Sequence, residues 1–296
     1  TGSLSLISRQ GVHSGPDITY ANYMTYSNNK LFLSHDTSDS IIEVNINTGV
    51  RSVVSDASNG SGTNFDRLKA IAVSADGSTG YALDDGLNAI FEVNMATGDR
   101  VIISNADNGS PWNEPLDIII SPSNSNLAYV VDNGSDAVYS VDLSSGSRTL
   151  ISRSGSRGDG LSLVGISRIQ LSADEQTIYV SDNYRKAIFA IEISTGDREV
   201  IAGSTNDIGS GFKIHGIGDI AASSDGERLY YSNYANTGIY YIDLNTQNRN
   251  ILYNSIVGSG APIHDPFQFT ISNSNDEIYV SDDDSRNVVR VNIASG

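Results

Sequence analysis

The sequence contains no cysteine, a single tryptophan, six prolines and only four lysines among its 296 residues. Without cysteine there is no disulfide framework, no thiolate nucleophile and no cysteine-based zinc site, and thiol chemistry gives no indication of the compartment. Aspartate and glutamate outnumber lysine and arginine by 35 to 18, so the formal net charge is −17. Because a field of this sign repels polyanions, we expect no nucleic-acid partner and a preference for cations or basic surfaces.

Long apolar segments are also absent. No run approaches the ~20 residues that a membrane-spanning helix needs. The opening residues, TGSLSLIS, lack the basic start and the apolar stretch of a signal peptide. We therefore expect no membrane insertion, and any export signal would lie outside this sequence.

The sequence does contain a sixfold internal repeat. A glycine-containing loop recurs with spacings of 49, 49, 49, 51 and 49 residues, at Gly11, Gly60, Gly109, Gly158, Gly209 and Gly258. A period of about 40 to 50 residues is typical of the blades of a β-propeller. Since the six units fill the chain, we expect residues 1–296 to form a single domain.

Each unit carries two recognisable strands. The first is rich in aromatic residues and usually ends in aspartate, as in YVSD at 179–182. The second alternates apolar and polar residues, as in IIEVNI at 41–46, which is the pattern of a half-buried antiparallel strand. A tight turn and a short strand such as RVIIS at 100–104 follow. With an inner strand before the aromatic one, each unit has four strands.

The sixth unit stops at Gly296 without its last strand, and residues 3–8, SLSLIS, match the missing piece. Pairing of this N-terminal strand with the blade formed by residues 266–296 would close the ring and leave no open edge. The predicted fold is therefore an all-β, six-bladed β-propeller with four antiparallel strands per blade, in which the N-terminal strand closes the last blade.

The segment YVSDNYRKAIFAIEISTGDREVI at 179–201, together with the SADG turn at 74–77, resembles the TolB-like six-bladed propellers of the NHL, YWTD and SMP-30 groups. The resemblance covers the whole chain and concerns the scaffold. These groups include binding modules, lactonases and other hydrolases, and therefore the resemblance alone implies no particular activity.

The resemblance to SMP-30 also implies a divalent cation such as calcium in the central channel, held by Asn, Asp and Glu side chains. The corresponding positions, one in each inner strand, are Asn22, Lys69, Leu116, Ser167, Gly218 and Phe267. Only Asn22 matches the expected pattern, which disfavours a metal-dependent lactonase. A channel cation stays open as an alternative, and no other cofactor is predicted.

Ligands of propellers usually bind on the face formed by the loops that lead into the inner strands. His215 and His264 occupy equivalent positions in adjacent units. With Arg67 and Tyr20 they would supply the base, the acid and the positive charge of a polysaccharide lyase or a hydrolase. The alternative is repeat drift, in which each histidine only caps a loop. Further candidate ligand-binding residues on these loops are Asp66, Trp112, Glu114 and Asp265.

One aligned position of the inner strands carries charge where apolar residues are expected. It reads Tyr23, Ala70, Asp117, Arg168, Asp219 and Gln268. Buried charges must be paired to be tolerated. We therefore predict that Asp117, Arg168 and Asp219 either form an ion network across the channel or contact a ligand directly.

Two functional hypotheses follow. The first is a secreted, periplasmic or cell-surface propeller that binds a saccharide or a protein, as a monomer or as a module of a larger protein. The second is a polysaccharide lyase or a hydrolase such as a lactonase. No GxSxG elbow, HExxH helix or Walker loop occurs in a fitting context, which favours the first hypothesis.

Overall fold

A computed structural model describes residues 3–19, 21–109, 112–204, 208–254, 256–260 and 263–293. Within these residues, 24 strands form six antiparallel sheets of four strands each. The helical elements there are three single turns of 3₁₀ helix, Asp36–Ser38, Ala106–Asn108 and Tyr234–Asn236. The protein is thus almost entirely strand and turn.

The strands are numbered in chain order, and the sheets are called blades I to VI. The chain opens with β1, Ser3–Arg9. Blade I contains β2 to β5, Ala21–Ser27, Lys30–His35, Ser40–Asn45 and Arg51–Ser55. Blade II contains β6 to β9, Leu68–Val73, Thr79–Asp84, Ala89–Asn94 and Arg100–Ser104. Blade III contains β10 to β13, Pro115–Ile120, Leu127–Asp132, Ala137–Asp142 and Arg148–Arg153.

The second half repeats this order. Blade IV contains β14 to β17, Ile166–Leu171, Thr177–Asp182, Ala187–Glu192 and Arg198–Gly203. Blade V contains β18 to β21, Ile220–Ala222, Arg228–Asn233, Gly238–Asp243 and Arg249–Asn254. Blade VI contains β22 to β24, Pro266–Ile271, Glu277–Asp282 and Asn287–Asn292, and is completed by β1.

The six inner strands contact one another in a closed ring, in the order β2, β6, β10, β14, β18, β22 and back to β2. Closure depends on β1, which pairs antiparallel with β24 from Ser3↔Asn292 to Arg9↔Asn287. The predicted fold class is confirmed, including the closing role of the N-terminal strand. That residues 1–296 form a single domain stays a prediction.

The hydrophobic core lies between neighbouring blades rather than on one side of each sheet. Ile41 and Ile42, which are consecutive and therefore point to opposite faces of β4, are 0% and 1% exposed. Phe32 and Ile41 of blade I pack in one cluster with Leu68 and Phe91 of blade II. Both faces of a sheet are therefore covered, which the alternating pattern of the third strands alone did not predict.

Arginines at the start of several outer strands form hydrogen bonds that join their blade to the preceding one. The Nη1 of Arg100 donates a hydrogen bond to Ser55 Oγ at 2.6 Å, and its Nε donates to the carbonyl of Thr63 at 3.1 Å. The same Ser55 hydroxyl donates to the carbonyl of Gly98 at 2.7 Å. Corresponding bonds join Arg51 to Ser8 and Arg198 to Ser152. The bond from Arg51 is notable because Ser8 belongs to the closing strand β1.

Candidate functional site

Five inner strands carry a β-bulge at the same position, next to their N-terminal ends. In each, the register against the second strand skips one residue; the skipped residues are Asn22, Lys69, Leu116, Ser167 and Phe267. A bulge changes the direction of a side chain, and bulges are common beside functional sites. These five residues, with Gly218 of blade V, are called the bulge ring, and the aligned residues that follow them the channel layer.

The channel layer consists of Tyr23, Ala70, Asp117, Arg168, Asp219 and Gln268. Arg168 extends from blade IV to blade I on the opposite side of the ring, where its Nη1 donates to the hydroxyl of Tyr23 at 2.7 Å. Its guanidinium carbon lies 4.3 Å from the centre of the Tyr23 ring. The Nε of Arg168 lies 3.7 Å from Asp219 Oδ1. These contacts close the channel at this level.

The two carboxyl groups of the channel layer join neighbouring blades. Asp117 accepts backbone N–H groups from Ile118 of its own strand at 2.8 Å and from Ile169 of blade IV at 3.0 Å. Asp219 accepts likewise from Ile220, the first residue of β18, and from Phe269 of blade VI, at 2.8 and 3.0 Å. Both aspartates therefore join neighbouring blades, whether or not a ligand contacts them.

Burial raises the pKa of both carboxyl groups, although the positive charge of Arg168 acts in the opposite direction. The pKa rises to about 7 for Asp117 and to about 6 for Asp219. Asp117 and Asp219 border a cavity of about 170 Å³, which Thr25 and Thr270 also line. Water in this cavity could solvate Asp117, whose exposure is intermediate, whereas Asp219 is only 7% exposed.

A second group of charges lies where the inner strands begin and the second strands end. We call these residues the mouth cluster: Asp36, Arg67, Lys69, Asp85 and Glu114. The second strand runs antiparallel to the inner strand, so its C-terminal end lies at the same end of the channel. Lys69 Nζ is 3.3 Å from Asp36 Oδ2, and Arg67 Nη1 is 3.5 Å from Asp85 Oδ2. Glu114 accepts a hydrogen bond from Asn133 Nδ2 at 2.7 Å.

Two members of the mouth cluster have unusual environments. Burial raises the pKa of Asp85, an effect that Arg67 and Lys69 oppose and Glu114 and Asp36 reinforce. The side chain of Arg67 is 60% exposed, yet its backbone has a φ of 66°. Left-handed backbone at a residue other than glycine is uncommon in proteins, but eleven other described residues of this kind share it in this chain, so the φ of Arg67 does not by itself mark a site. An exposed cation is thus held beside a largely buried carboxyl group.

The structure does not bring the predicted catalytic residues into one group. The side chains of His215 and His264 are exposed, and neither imidazole has a hydrogen bond or ion pair with another described residue. The backbone N–H of His264 donates to Asp282 Oδ2 at 3.0 Å. A catalytic histidine is normally oriented by a partner. Arg67 belongs to the mouth cluster, whereas Tyr20 lies outside the described residues.

The candidate ligand-binding residues on the loops differ in their surroundings. Trp112 is only 4% exposed, and the guanidinium of Arg148 lies 4.3 Å from its ring, so that this indole faces the core. Asp66 is exposed, Glu114 is half-buried in the mouth cluster, and Asp265 is half-buried beside other acidic residues. Of these four, Glu114 has the surroundings most suited to binding.

Asp36, Asp85 and Asn133 were missed as site residues. Each directly follows the last residue of a second strand, one position beyond the recurring His or Asp. The recurring Asp84, Asp132, Asp182 and Asp282 accept backbone N–H groups from the loop that enters the inner strand. If the alignment of the six units had been extended by one residue, it would have shown that this next position varies and mostly carries a charged or an amide side chain.

The described residues form no obvious site for the divalent cation that the resemblance to SMP-30 implies. In the described part of the chain, no group of three or more His, Asp or Glu side chains is placed to hold a metal ion. The carboxylates of Asp117 and Asp219 already accept backbone N–H groups and face Arg168.

The described residues also contain no helix with the length and apolar character of a membrane span.

Fold and site together define a six-bladed propeller with a closed channel and a charged mouth. The sequence model of the family described as "Lactonase, 7-bladed beta-propeller" matches residues 117–296, and the chain belongs to this family. It departs from that description in blade number, because its described residues form six sheets. A search of curated proteins finds no match.

Several solved structures share the fold. A structural-genomics protein of unknown function from Bacteroides thetaiotaomicron has a TM-score of 0.74 at 14% identity, covering 99% of this chain and 76% of its own. A gluconolactonase from Xanthomonas campestris has a TM-score of 0.69 at 16% identity, covering 99% and 90%. An auxiliary nutrient binding protein from Bacteroides ovatus has a TM-score of 0.74 at 12% identity, covering 98% and 76%. At these identities the likeness shows the fold alone.

Proposed function

We propose that the protein is a ligand-binding propeller whose binding site is the mouth cluster. The observation that carries this proposal is the pair of Arg67 and Asp85, in which an exposed guanidinium on left-handed backbone stands beside a carboxyl group that is mostly buried. The closed channel layer forms a floor beneath the bulge ring. A ligand that enters the mouth would therefore meet charged side chains at the rim and would not pass through the ring.

The ligand class that suits this cluster is a polyhydroxylated molecule, that is, a saccharide or a sugar acid. Carboxylate, guanidinium and amide groups offer paired acceptors and donors, which match neighbouring hydroxyl groups. Asp85, Glu114 and Asn133 supply such groups within one part of the rim. The fold is shared with a nutrient binding protein and a gluconolactonase, which supports the choice of saccharide-like probes.

Hydrolysis of a lactone is the second candidate, because the chain belongs to a lactonase family. In this case Asp85, with its raised pKa, would accept a proton from the attacking water as the water oxygen bonds to the lactone carbonyl carbon. Arg67 would stabilise the negative charge that develops on the carbonyl oxygen. The ring C–O bond would then break, and the proton would pass to the leaving alkoxide. His215 and His264 are not needed in this scheme.

Replacement of Arg67 by alanine should weaken binding of gluconate at least ~10-fold, because a hydrogen bond to a charged group contributes about 1.5–3 kcal/mol. The measurement is isothermal titration calorimetry of gluconate and glucose against the wild type and R67A. Arg286→Ala is the matched control, since Arg286 is also exposed and also has a left-handed backbone, with a φ of 51°. Equal affinities of the wild type and R67A for every probe would exclude the mouth cluster as the site.

The two candidate functions are separated by glucono-1,5-lactone. A lactonase should hydrolyse it above the spontaneous rate, and Asp85→Asn should lower kcat by about 100-fold or more. A binding protein should show the R67A effect on affinity and no hydrolysis above the spontaneous rate.

We also propose that the protein works outside the cytoplasm. The absence of cysteine is neutral on this point, and support comes from the shared fold with nutrient binding proteins of two Bacteroides species. Fractionation of the source cells, followed by immunodetection, would test this location. The protein is also predicted to be a monomer or a module of a larger protein. Size-exclusion chromatography would measure its oligomeric state.

A further inference from the structure

The channel layer is not balanced in charge when all its groups have their usual ionisation. Asp117 on β10 and Asp219, directly before β18, are negative, and Arg168 on β14 is the only cation of the layer. The remaining inner strands contribute the neutral residues Tyr23, Ala70 and Gln268. With both aspartates ionised, the layer would hold a net charge of −1, in surroundings where an unpaired charge is costly.

The neighbouring groups do not supply the missing positive charge. In the bulge ring the cation is Lys69, and its Nζ is paired with Asp36 at 3.3 Å. Arg168 pairs with Asp219 and donates to the hydroxyl of Tyr23. No other carboxylate of the described residues lies within salt-bridge distance of its guanidinium. Asp117 is left with backbone N–H groups alone, and it borders the channel cavity from which a proton can reach it.

We propose that Asp117 is the group of the channel layer that takes up a proton, so that the layer, which we call the plug, is neutral in mildly acidic surroundings and carries a net charge of −1 in alkaline surroundings. The plug joins blades III and IV through Asp117 and blades V and VI through Asp219. Loss of the proton would therefore weaken the centre of the ring. The proposal does not depend on the ligand that binds at the mouth.

The expected pH dependence follows from the direction of the pKa shifts. Because the folded-state pKa of Asp117 and Asp219 lies above the value of 3.8 for an ordinary aspartate, the folded state binds more protons between these values. The stabilisation is complete below pH 3.8 and is lost as the pH rises to about 7. Asp84 and Asp283, whose pKa values burial raises to about 6, add to the same trend.

The direct test is the ¹³C NMR titration of the side-chain carboxyl group of Asp117 in the wild-type protein. We expect a midpoint near pH 7. Thermal unfolding between pH 5 and pH 8 provides a second readout, in which the melting temperature of Asp117→Asn should change less with pH than that of the wild type. The control is Asp142→Asn, since Asp142 is exposed and its pKa is lowered by a hydrogen bond from Ser144.

A midpoint below pH 5 for Asp117 would overturn the proposal, even if the Asp117→Asn protein did not fold. An unchanged slope of the melting temperature in a folded Asp117→Asn protein would also overturn it. If Asp142→Asn reduced the slope as much as Asp117→Asn, the pH dependence would belong to the surface charge and not to the plug.

Discussion

Replacement of Arg168 by methionine is expected to destabilise the protein by about 3–5 kcal/mol at pH 7, because removal of one partner of a buried ion pair leaves the other charge uncompensated. Asp219 would lose the guanidinium 3.7 Å away, and Tyr23 would lose the donor to its hydroxyl. Methionine keeps much of the side-chain length, which limits the loss of packing. Equilibrium unfolding in guanidinium chloride measures the change.

Two comparisons assign this effect to the ion pair. The double variant Arg168→Met with Asp219→Asn should lose less stability than the sum of the losses of the two single variants, because the carboxylate that pairs with Arg168 is then absent. Arg153 is exposed and has no side-chain partner among the described residues, so that Arg153→Met should change stability by no more than about 0.5 kcal/mol. A stability of Arg168→Met within about 1 kcal/mol of the wild type would show that the plug contributes little.

Alanine at Gly158 is expected to destabilise the protein by at least ~2 kcal/mol more than alanine at Gly155. Both glycines have left-handed backbone, with φ of 78° and 71°. A Cβ at Gly158 would lie 1.8 Å from the carbonyl oxygen of Gly196, whereas a Cβ at Gly155 would meet nothing within 4 Å. The free-energy cost of placing alanine on left-handed backbone is therefore common to both variants. The difference between their free energies of unfolding measures the clash with the neighbouring backbone. Chemical unfolding of both variants gives the comparison, and equal losses would contradict the account.

The clash at Gly158 explains why one glycine recurs along the chain. Equivalent contacts place a Cβ at Gly60 1.9 Å from the carbonyl of Gly98, and one at Gly209 1.9 Å from that of Gln247. At Gly11 no atom lies within 4 Å. The loop glycine is thus required at several blade junctions by close packing on a turn, and at Gly11 by backbone conformation alone.

The architecture could be predicted from the sequence because every unit makes the same contacts. Six copies of one pattern indicate one blade each, and the missing outer strand of the sixth copy indicated where residues 3–8 belong. Arginines recur in the sequence at the start of the outer strands, and their bonds to Ser8, Ser55 and Ser152 join neighbouring blades. The double-sided burial of the third strands was not predicted, since it arises from packing between blades.

The site was predicted only in part. The channel layer emerged from alignment of the inner strands, because charge at an otherwise buried position is visible in the sequence. The pairing of Arg67 with Asp85 was missed, because the two residues lie on different loops and come together only through the antiparallel pairing of β6 and β7. His215 and His264 occupy equivalent positions in the sequence repeat. Their exposure could not be predicted from the repeat, because the loops that carry them differ from blade to blade.

The central claim is that ligands bind at the mouth cluster, and a crystal structure of the protein soaked with gluconate tests it most directly. The account predicts electron density for the sugar acid against Arg67 and Asp85, above the plug formed by Arg168 and Tyr23. A groove of about 570 Å³ elsewhere on the protein, lined by Tyr26, Asp76 and Tyr81, provides the alternative position. Gluconate in that groove, or a mouth left empty at a concentration that saturates binding in solution, would contradict the account.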